Sequence, residues 1–291
     1  MMSNGIKTNR NNVSLIGIER LRYLTDGPGI TTLVGFQGCP LNCAYCLNPQ
    51  CHDKSALNPY TPSSLIEVLK RDDMYFSATG GGVTFGGGEP LQYPSFIIEF
   101  RKQAPDDWTI NVETSLNISL EILRQLIPVI DYYIIDIKDT NPIIYERYTG
   151  CDNSKVIENL KYLLDNGLGN KIEVRVPEIP DYNSDSDIYK SIVLLKQMGV
   201  EHISFLTYKV GKVLPALSKP KGGVDISFGK SLCKILKNIR IKKAKEFGIA
   251  YNPPVCTNKR ACSGTCPVCE KELEYINSFY QQKARNDARI I

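Results

Sequence analysis

Tyr132-Tyr133-Ile134-Ile135-Asp136-Ile137-Lys138 reads as a strand with no polar face. Successive side chains of an extended segment point to opposite sides of a sheet, and here both sides are apolar. That pattern belongs to a strand of a parallel sheet covered by helices on both faces. Five further β-type runs flank it in the chain, at residues 31–37, 83–85, 108–114, 171–176 and 202–207. Each leads into a helix-like or loop segment. Helical patterns fall at 65–71, 95–103, 120–126, 142–148, 154–166, 186–198 and 229–247. The first is opened by Thr61-Pro62-Ser63-Ser64, a capping hydroxyl followed by a proline tolerated in the first turn. Asn166-Gly167 and Gly199 punctuate the ends of two others.

Regular alternation of strand and helix predicts an α/β fold. Six units are too few to close an eight-stranded barrel. The expectation is an incomplete (β/α)6 TIM-like barrel whose site lies at the C-terminal ends of the strands. The pattern breaks after Phe247, where Pro253-Pro254 leads into a cysteine-rich segment and a polar helix at about 270–285. The chain divides accordingly into an N-terminal tail (1–14), the core (15–250) and a C-terminal cysteine-rich, metal- or cluster-binding extension (251–291).

Composition bounds the class. With 291 residues, 42% hydrophobic and 23% charged, the chain is ordinary globular material. No apolar run approaches the roughly 18 residues of a membrane span. The first twelve residues are polar, without the apolar core of a secretion signal, so a cytoplasmic protein is expected. In that compartment ten cysteines argue for metal binding or chemistry rather than a disulfide framework. Seven of them fall in two tight groups, Cys39, Cys43, Cys46 and Cys256, Cys262, Cys266, Cys269, leaving Cys51, Cys151 and Cys233. The net charge of +4 hides an asymmetry: residues 209–245 hold eleven Lys or Arg against the single Asp225.

Gly38-Cys39-Pro40-Leu41-Asn42-Cys43-Ala44-Tyr45-Cys46 follows the first of these six strands directly. Three thiolates in one loop can converge on an iron–sulfur cluster but supply only three of the four ligands that a cubane of four irons needs. The remaining iron is open to a ligand with an amine and a carboxylate, which the methionine part of S-adenosylmethionine offers. A zinc site with Cys51 or His52 as fourth ligand is the alternative. The C-x3-C-x2-C spacing at the top of a first barrel strand favours the cluster, leaving Cys51 a packed thiol and His52 a surface imidazole.

Gly80-Gly81-Gly82-Val83-Thr84-Phe85-Gly86-Gly87-Gly88-Glu89-Pro90 ends the second strand in three glycines and an acid. Glycine permits close backbone approach to a ligand, and the carbonyls and acid can accept hydrogen bonds from an ammonium group. Taken alone, a glycine turn of this kind is as readily only a turn. Polar residues also stand at successive strand ends: Glu113 and Thr114, then Asp136 and Lys138, then Arg175. A charge inside an apolar strand costs free energy unless it is paired or binds something. A structural ion pair explains one such residue; three strands in a row point to a site.

Together these residues resemble the radical S-adenosylmethionine enzymes, and among them the pyruvate formate-lyase activating enzymes. The resemblance runs from about residue 15 to residue 211 and includes Thr25-Asp26-Gly27-Pro28-Gly29, the cysteine motif, the glycine turn, Asp136-Ile137-Lys138 and Arg175. It implies an incomplete barrel, a site-differentiated 4Fe–4S cluster, and cleavage of S-adenosylmethionine to a 5′-deoxyadenosyl radical. In activating enzymes that radical takes a Cα hydrogen from a glycine of a large partner. By position, the resemblance implies that Cys39, Cys43 and Cys46 hold the cluster and that Tyr45 packs near the adenine. Gly87, Gly88 and Glu89 would hold the methionyl amine, and Arg175 and Lys138 would face its carboxylate or the ribose. Glu113, Thr114 and Asp136 look like a monovalent-cation site, and Asp26 lies in a loop that touches the incoming glycine loop.

Three departures stand out. Glu113 replaces the family's usual Asp, Lys209 stands where a His is usual, and the resemblance does not cover the cysteines after Pro254. Cys256-x5-Cys262-x3-Cys266-x2-Cys269 offers a full set of four thiolates, for an auxiliary 4Fe–4S cluster or a structural zinc. Cys151 and Cys233 read as packed thiols. The basic stretch is the solvated face of a helix or a docking surface for an acidic flavodoxin or ferredoxin; nothing in it favours nucleic acid. The expected protein is an activating enzyme for a glycyl-radical partner of pyruvate formate-lyase or anaerobic ribonucleotide reductase type. The alternatives are a radical enzyme modifying a peptide or small molecule, and a non-catalytic zinc-binding interaction protein.

Overall fold

The computed structural model describes residues 12–53, 55, 58–207, 226–256 and 264–287. Its centre is one sheet of eight strands. These are β1 (Val13–Tyr23), β2 (Ile30–Phe36), β3 (Pro59–Tyr60), β4 (Gly82–Gly87), β5 (Thr109–Thr114), β6 (Tyr132–Asp136), β7 (Ile172–Glu178) and β8 (His202–Thr207). The sheet order is β3-β1-β2-β4-β5-β6-β7-β8. From β2 to β8 every pairing is parallel, so the six strands expected from the apolar runs form the (β/α)6 barrel wall. Among the described residues no pairing closes β8 onto β3, and the barrel is open.

Helices α1 (Pro62–Leu69), α2 (Asp73–Thr79), α3 (Pro94–Gln103), α4 (Leu120–Leu126), α5 (Pro142–Thr149), α6 (Ser154–Asp165) and α7 (Asp185–Gln197) connect them, and α8 (Ile226–Glu246) and α9 (Pro267–Asp287) follow. Local chemistry sets their starts. Thr61 and Ser64 form a reciprocal capping box ahead of α1, as do Ser184 and Asp187 at α7. Every residue of β2 is buried, as a strand covered on both faces requires. Phe36, Phe85, Phe96 and Phe100 fill the space between β2, β4 and α3, with ring centroids 5.1–6.4 Å apart. Each such side chain contributes on the order of 1.5–3 kcal/mol by leaving water.

Two strands and one helix were not expected. The eleven residues of β1 pair antiparallel with β2, and two register shifts interrupt the pairing. Its alternation is broken by Glu19, Arg20 and Arg22: Arg20 bonds the distant Asp72 at 2.5 Å and Glu270 at 3.0 Å, while Arg22 pairs locally with Glu19 and Asp26. Strand β3 is two residues long and α2 only seven, too short for a periodic signal.

A second, smaller core lies outside the barrel. Leu21, Ile30, Met74 and Tyr75 meet Leu232, Leu236 and Ala244 of α8 and Leu273 and Ile276 of α9. The C-terminal helices are therefore packed onto β1 and α2. The N-terminal tail to residue 11, Lys209 and Cys262 lie outside the described residues.

Candidate active site

The strand register brings the polar positions to one end of the sheet. Phe36 pairs with Gly87 and Thr114 with Ile135 at the C-terminal ends of their strands, and Asp136, the last residue of β6, pairs with Arg175 in the middle of β7. There a cavity of about 290 Å³ opens, lined among others by Cys39, Cys43, Cys46, Tyr45, Gly87, Gly88, Glu89, Glu113, Thr114, Asp136, Lys138, Arg175 and Asp26. Every residue picked out for the first site from the sequence borders this one cavity.

The cysteine loop is held by main-chain bonds rather than by its own secondary structure. Asn42 and Ala44 donate to the carbonyls of Thr149 and Tyr148 at the end of α5, at 2.9 and 3.0 Å. Glu89 N–H donates to the Gly38 carbonyl at 2.8 Å, stapling the glycine turn to the loop. Close approach explains Gly88: a Cβ there would collide with that same carbonyl. The glycine turn thus has a packing role that brings it against the cysteines.

Thiol electrostatics differ across the loop. Burial pushes the Cys39 thiol up to about 12 and raises Cys43 as well. Cys46 is drawn down to about 6, chiefly by a hydrogen bond from the Cys51 thiol, which is raised in turn. Cys46, Cys51 and His52 place their ligand atoms within 4.8 Å of one another. Cys51 is buried, as expected of a packed thiol, but it packs onto a motif cysteine. Cys151 lies beside the loop too, its Sγ 3.6 Å from the Pro40 carbonyl.

Glu89 is 1% exposed, and burial raises its carboxyl above the usual range. Oε1 accepts from Thr114 Oγ1 at 2.7 Å and Leu91 N–H at 3.2 Å. Oε2 accepts from Ser115 N–H at 2.9 Å and its Oγ at 2.8 Å. Both oxygens, and the Thr114 hydroxyl, are thus engaged within the chain. Glu113 Oε1 accepts from Arg175 Nη1 at 2.7 Å, so its longer arm turns to the guanidinium. Arg175 also holds the Thr25 carbonyl at 2.5 Å. Asp26 is 2% exposed and paired with Arg22, while its neighbour Leu24 is exposed.

Asp136 tests the fit of a ligand. Its Oδ2 accepts from Lys138 Nζ at 2.9 Å, whereas its Oδ1 is buried without a partner. A buried carboxylate oxygen without a partner, on a residue that lines the cavity, calls for a hydroxyl, an ammonium or a cation. The three motif thiols that line the same cavity are a donor set for iron–sulfur ligation. The residues present fit both a three-cysteine cluster and a polar nucleotide.

Sequence reasoning missed an aromatic wall. The Tyr45 ring meets Tyr148 edge-on at 6.3 Å and Tyr182 at 5.6 Å, and its hydroxyl donates to Asp181 Oδ2 at 3.1 Å. Arg147 lies over the Tyr182 ring at 5.2 Å. The available signal was Asp181-Tyr182 just past the end of β7, where a barrel places site residues.

In the C-terminal segment Cys256 is exposed, Cys266 half-buried and Cys269 buried. Arg240 is 1% exposed and bonds Glu272 at 2.8 Å and Tyr75 Oη at 2.8 Å. One member of the basic stretch is therefore interior, while Lys230, Lys234, Lys242 and Lys245 are exposed. Among the described residues no helix is long and apolar enough to cross a membrane.

Comparison with known proteins agrees with this geometry. The family model described as the radical SAM superfamily matches residues 33–195. The pyruvate formate-lyase-activating enzyme of Clostridium pasteurianum is 32% identical over 64% of this chain and 78% of its own. The isethionate sulfite-lyase activating enzyme of Nitratidesulfovibrio vulgaris is 25% identical over 64% and 81%. A solved domain of a pyruvate-formate lyase-activating enzyme from Bacteroides vulgatus covers 55% of this chain and 94% of its own, at 22% identity and a TM-score of 0.38. Membership of that superfamily implies a 4Fe–4S cluster and S-adenosylmethionine, and removes the non-catalytic zinc protein from consideration. The chain belongs to the radical SAM superfamily, in its pyruvate formate-lyase activating enzyme family, and is an oxidoreductase of that kind.

Proposed function

We propose that this enzyme installs a glycyl radical on a partner enzyme. The observation that carries the reading is the single cavity bordered by the three motif cysteines, the glycine turn and the polar ends of β5, β6 and β7. Cys39, Cys43 and Cys46 would hold the cluster through three thiolates. The chemistry that cluster and nucleotide supply when bound is one-electron cleavage of the sulfonium to methionine and a 5′-deoxyadenosyl radical, which abstracts a glycine Cα hydrogen.

The chain's own residues orient and shield. Tyr45, with Tyr148 and Tyr182, offers aromatic faces and edges to the adenine. The backbone of Gly87 and Gly88 holds the methionyl amine, with Glu89 fixing the turn from within. Lys138 and Arg175 face the carboxylate or ribose. A monovalent cation at Asp136 would use Glu113 and Thr114 only if Arg175 and Glu89 released them. The Thr25–Gly29 loop, with Asp26 buried and Leu24 outward, meets the partner's glycine loop. The partner is of pyruvate formate-lyase or anaerobic ribonucleotide reductase type, a reading supported by relatives that are named as activating enzymes.

The C-terminal cysteines form a second centre, an auxiliary 4Fe–4S cluster or a structural zinc. The exposed lysines of α8 suit an acidic flavodoxin or ferredoxin, with an attraction that weakens as salt rises. The anaerobically reconstituted protein, given dithionite and S-adenosylmethionine, should release 5′-deoxyadenosine. Co-expressed with a glycyl-radical partner, it should generate a glycyl signal in electron paramagnetic resonance. Nucleoside release without that signal on any such partner would favour a peptide or small-molecule substrate instead.

A further inference from the structure

Cys51 is a buried thiol that the proposed reaction leaves unused. It follows Cys46 by five residues, on a single 3-10 turn at Pro49–His52, and is 1% exposed. Main-chain bonds fix it from both sides. Its N–H donates to the Asn48 carbonyl at 2.9 Å, and its carbonyl accepts from the N–H of Gly38, the residue ahead of Cys39, at 2.8 Å. Asn48 Nδ2 donates in turn to the Gly87 carbonyl at 3.0 Å, so this segment is tied to the glycine turn as well. The Cys46 and Cys51 sulfurs lie within 4.8 Å of each other. Cys46 borders the cavity, and Cys51 is not among the residues that line it. His52 places its ligand atom in the same group but is exposed. The three could hold a soft divalent ion only in a chain whose Cys46 is not already an iron ligand.

We propose that Cys51 is a positioning residue that acts through Cys46, its thiol donating a hydrogen bond to the Cys46 sulfur and making the first cluster easier to reduce. This rests on the reading of Cys46 as a cluster ligand. A sulfur bound to iron is a thiolate and can only accept, so the proton of the pair stays on Cys51. Adding an electron to a cluster puts more negative charge on its sulfurs. A donor beside one of them therefore stabilises the reduced state more than the oxidised one, and the potential rises. Burial strengthens the effect, because little water competes for the bond. The same contact sets Cys46 apart from Cys39 and Cys43 in the metal-free chain, drawing its thiol down while burial pushes theirs up.

The test is a potentiometric titration of the full chain, reconstituted anaerobically, as wild type, Cys51→Ala and Cys51→Ser. It is followed through the reduced-cluster paramagnetic resonance that responds to S-adenosylmethionine, which separates the first cluster from a C-terminal centre. Cys51→Ala should keep the iron of the first cluster and move its midpoint to a more negative potential. At a fixed poise the ratio of reduced to oxidised cluster should fall by up to about tenfold, which is about 59 mV for one electron. Cys51→Ser restores a donor and should recover part of that shift. A thiol that only fills space would leave all three potentials alike, and that result overturns the assignment. Should the alanine variant fail to fold, Cys51→Val, which fills the space without a donor, carries the same expectation and the same refutation. If S-adenosylmethionine changes the resonance of Cys51→Ala but not that of wild type, Cys51 is itself a fourth ligand and the donor role is overturned. If it changes neither, the reading of the mouth as a cluster site falls, and the role of Cys51 with it.

Discussion

The barrel mouth and the C-terminal anchor both gather cysteines, but they are assembled in opposite ways. At the mouth, three cysteines lie within eight residues of one loop, and main-chain bonds to the end of α5 and to the glycine turn set its shape. At the anchor, the shape comes from side chains far apart in sequence. Arg20 reaches Asp72 and Glu270, and Arg240 joins Tyr75 to Glu272 and Cys269. The mouth keeps a buried oxygen of Asp136 without a partner, as a binding site should; the anchor holds the half-buried Arg20 and the buried Arg240 in ion pairs. A ligand site tolerates unsatisfied groups that a structural joint does not, since the ligand supplies the missing bonds only when it binds.

The largest effect should come from the mouth. Cys43→Ala should abolish release of 5′-deoxyadenosine and lower iron by roughly four per chain, while thermal melting of the metal-free chain stays near wild type. A variant that kept its nucleoside release would end the contrast altogether, because the loop would then not be a cluster site. At the anchor, Arg240→Ala leaves Glu272 and Tyr75 without their buried partner and should destabilise the chain by about 3–5 kcal/mol, read by urea unfolding. A loss under about 1 kcal/mol would mean that water reaches the joint and that α9 is weakly held.

Glu89→Gln sharpens the contrast from inside the mouth. Its carboxylate accepts four hydrogen bonds, and an amide nitrogen turned toward Thr114 or Ser115 would face donors instead. A stability loss of about 1–3 kcal/mol is expected, with binding of S-adenosylmethionine weakened as the turn loosens. Loss of binding with unchanged stability would instead assign the carboxylate directly to the ligand. The smallest effect belongs to Lys70→Ala, which removes an exposed pair with Glu67. Within about 0.5 kcal/mol the melting curve should not move, since solvent screens such pairs.

Much of the fold was legible because parallel strands covered on both faces leave uninterrupted apolar runs. The run at 132–138 became β6, and the other five runs became the remaining parallel strands within two residues or so at each end. Strand β1 was not legible, because Glu19, Arg20 and Arg22 look like surface charges until Asp72 and Glu270 are seen beside Arg20, and Glu19 and Asp26 beside Arg22. Likewise the residues of the first site could be picked out one by one, but not their mutual commitments. Glu113 facing Arg175 and Thr114 facing Glu89 depend on neighbouring strands.

What the sequence determined alone is whatever rests on short separations: the period of each strand and helix, the caps, the three-cysteine loop and the glycine turn. Backbone geometry over a few residues dictates the periods and caps, and residue order fixes which groups each loop carries. The tertiary structure decided everything that requires two remote segments to meet: the antiparallel β1–β3 edge, the aromatic wall of Tyr45, Tyr148 and Tyr182, and the approach of Arg240 to Cys269. Those contacts exist because apolar faces of α8 and α9 leave water together against β1 and α2; the spacing of each helix marks an apolar face but not the face it will meet.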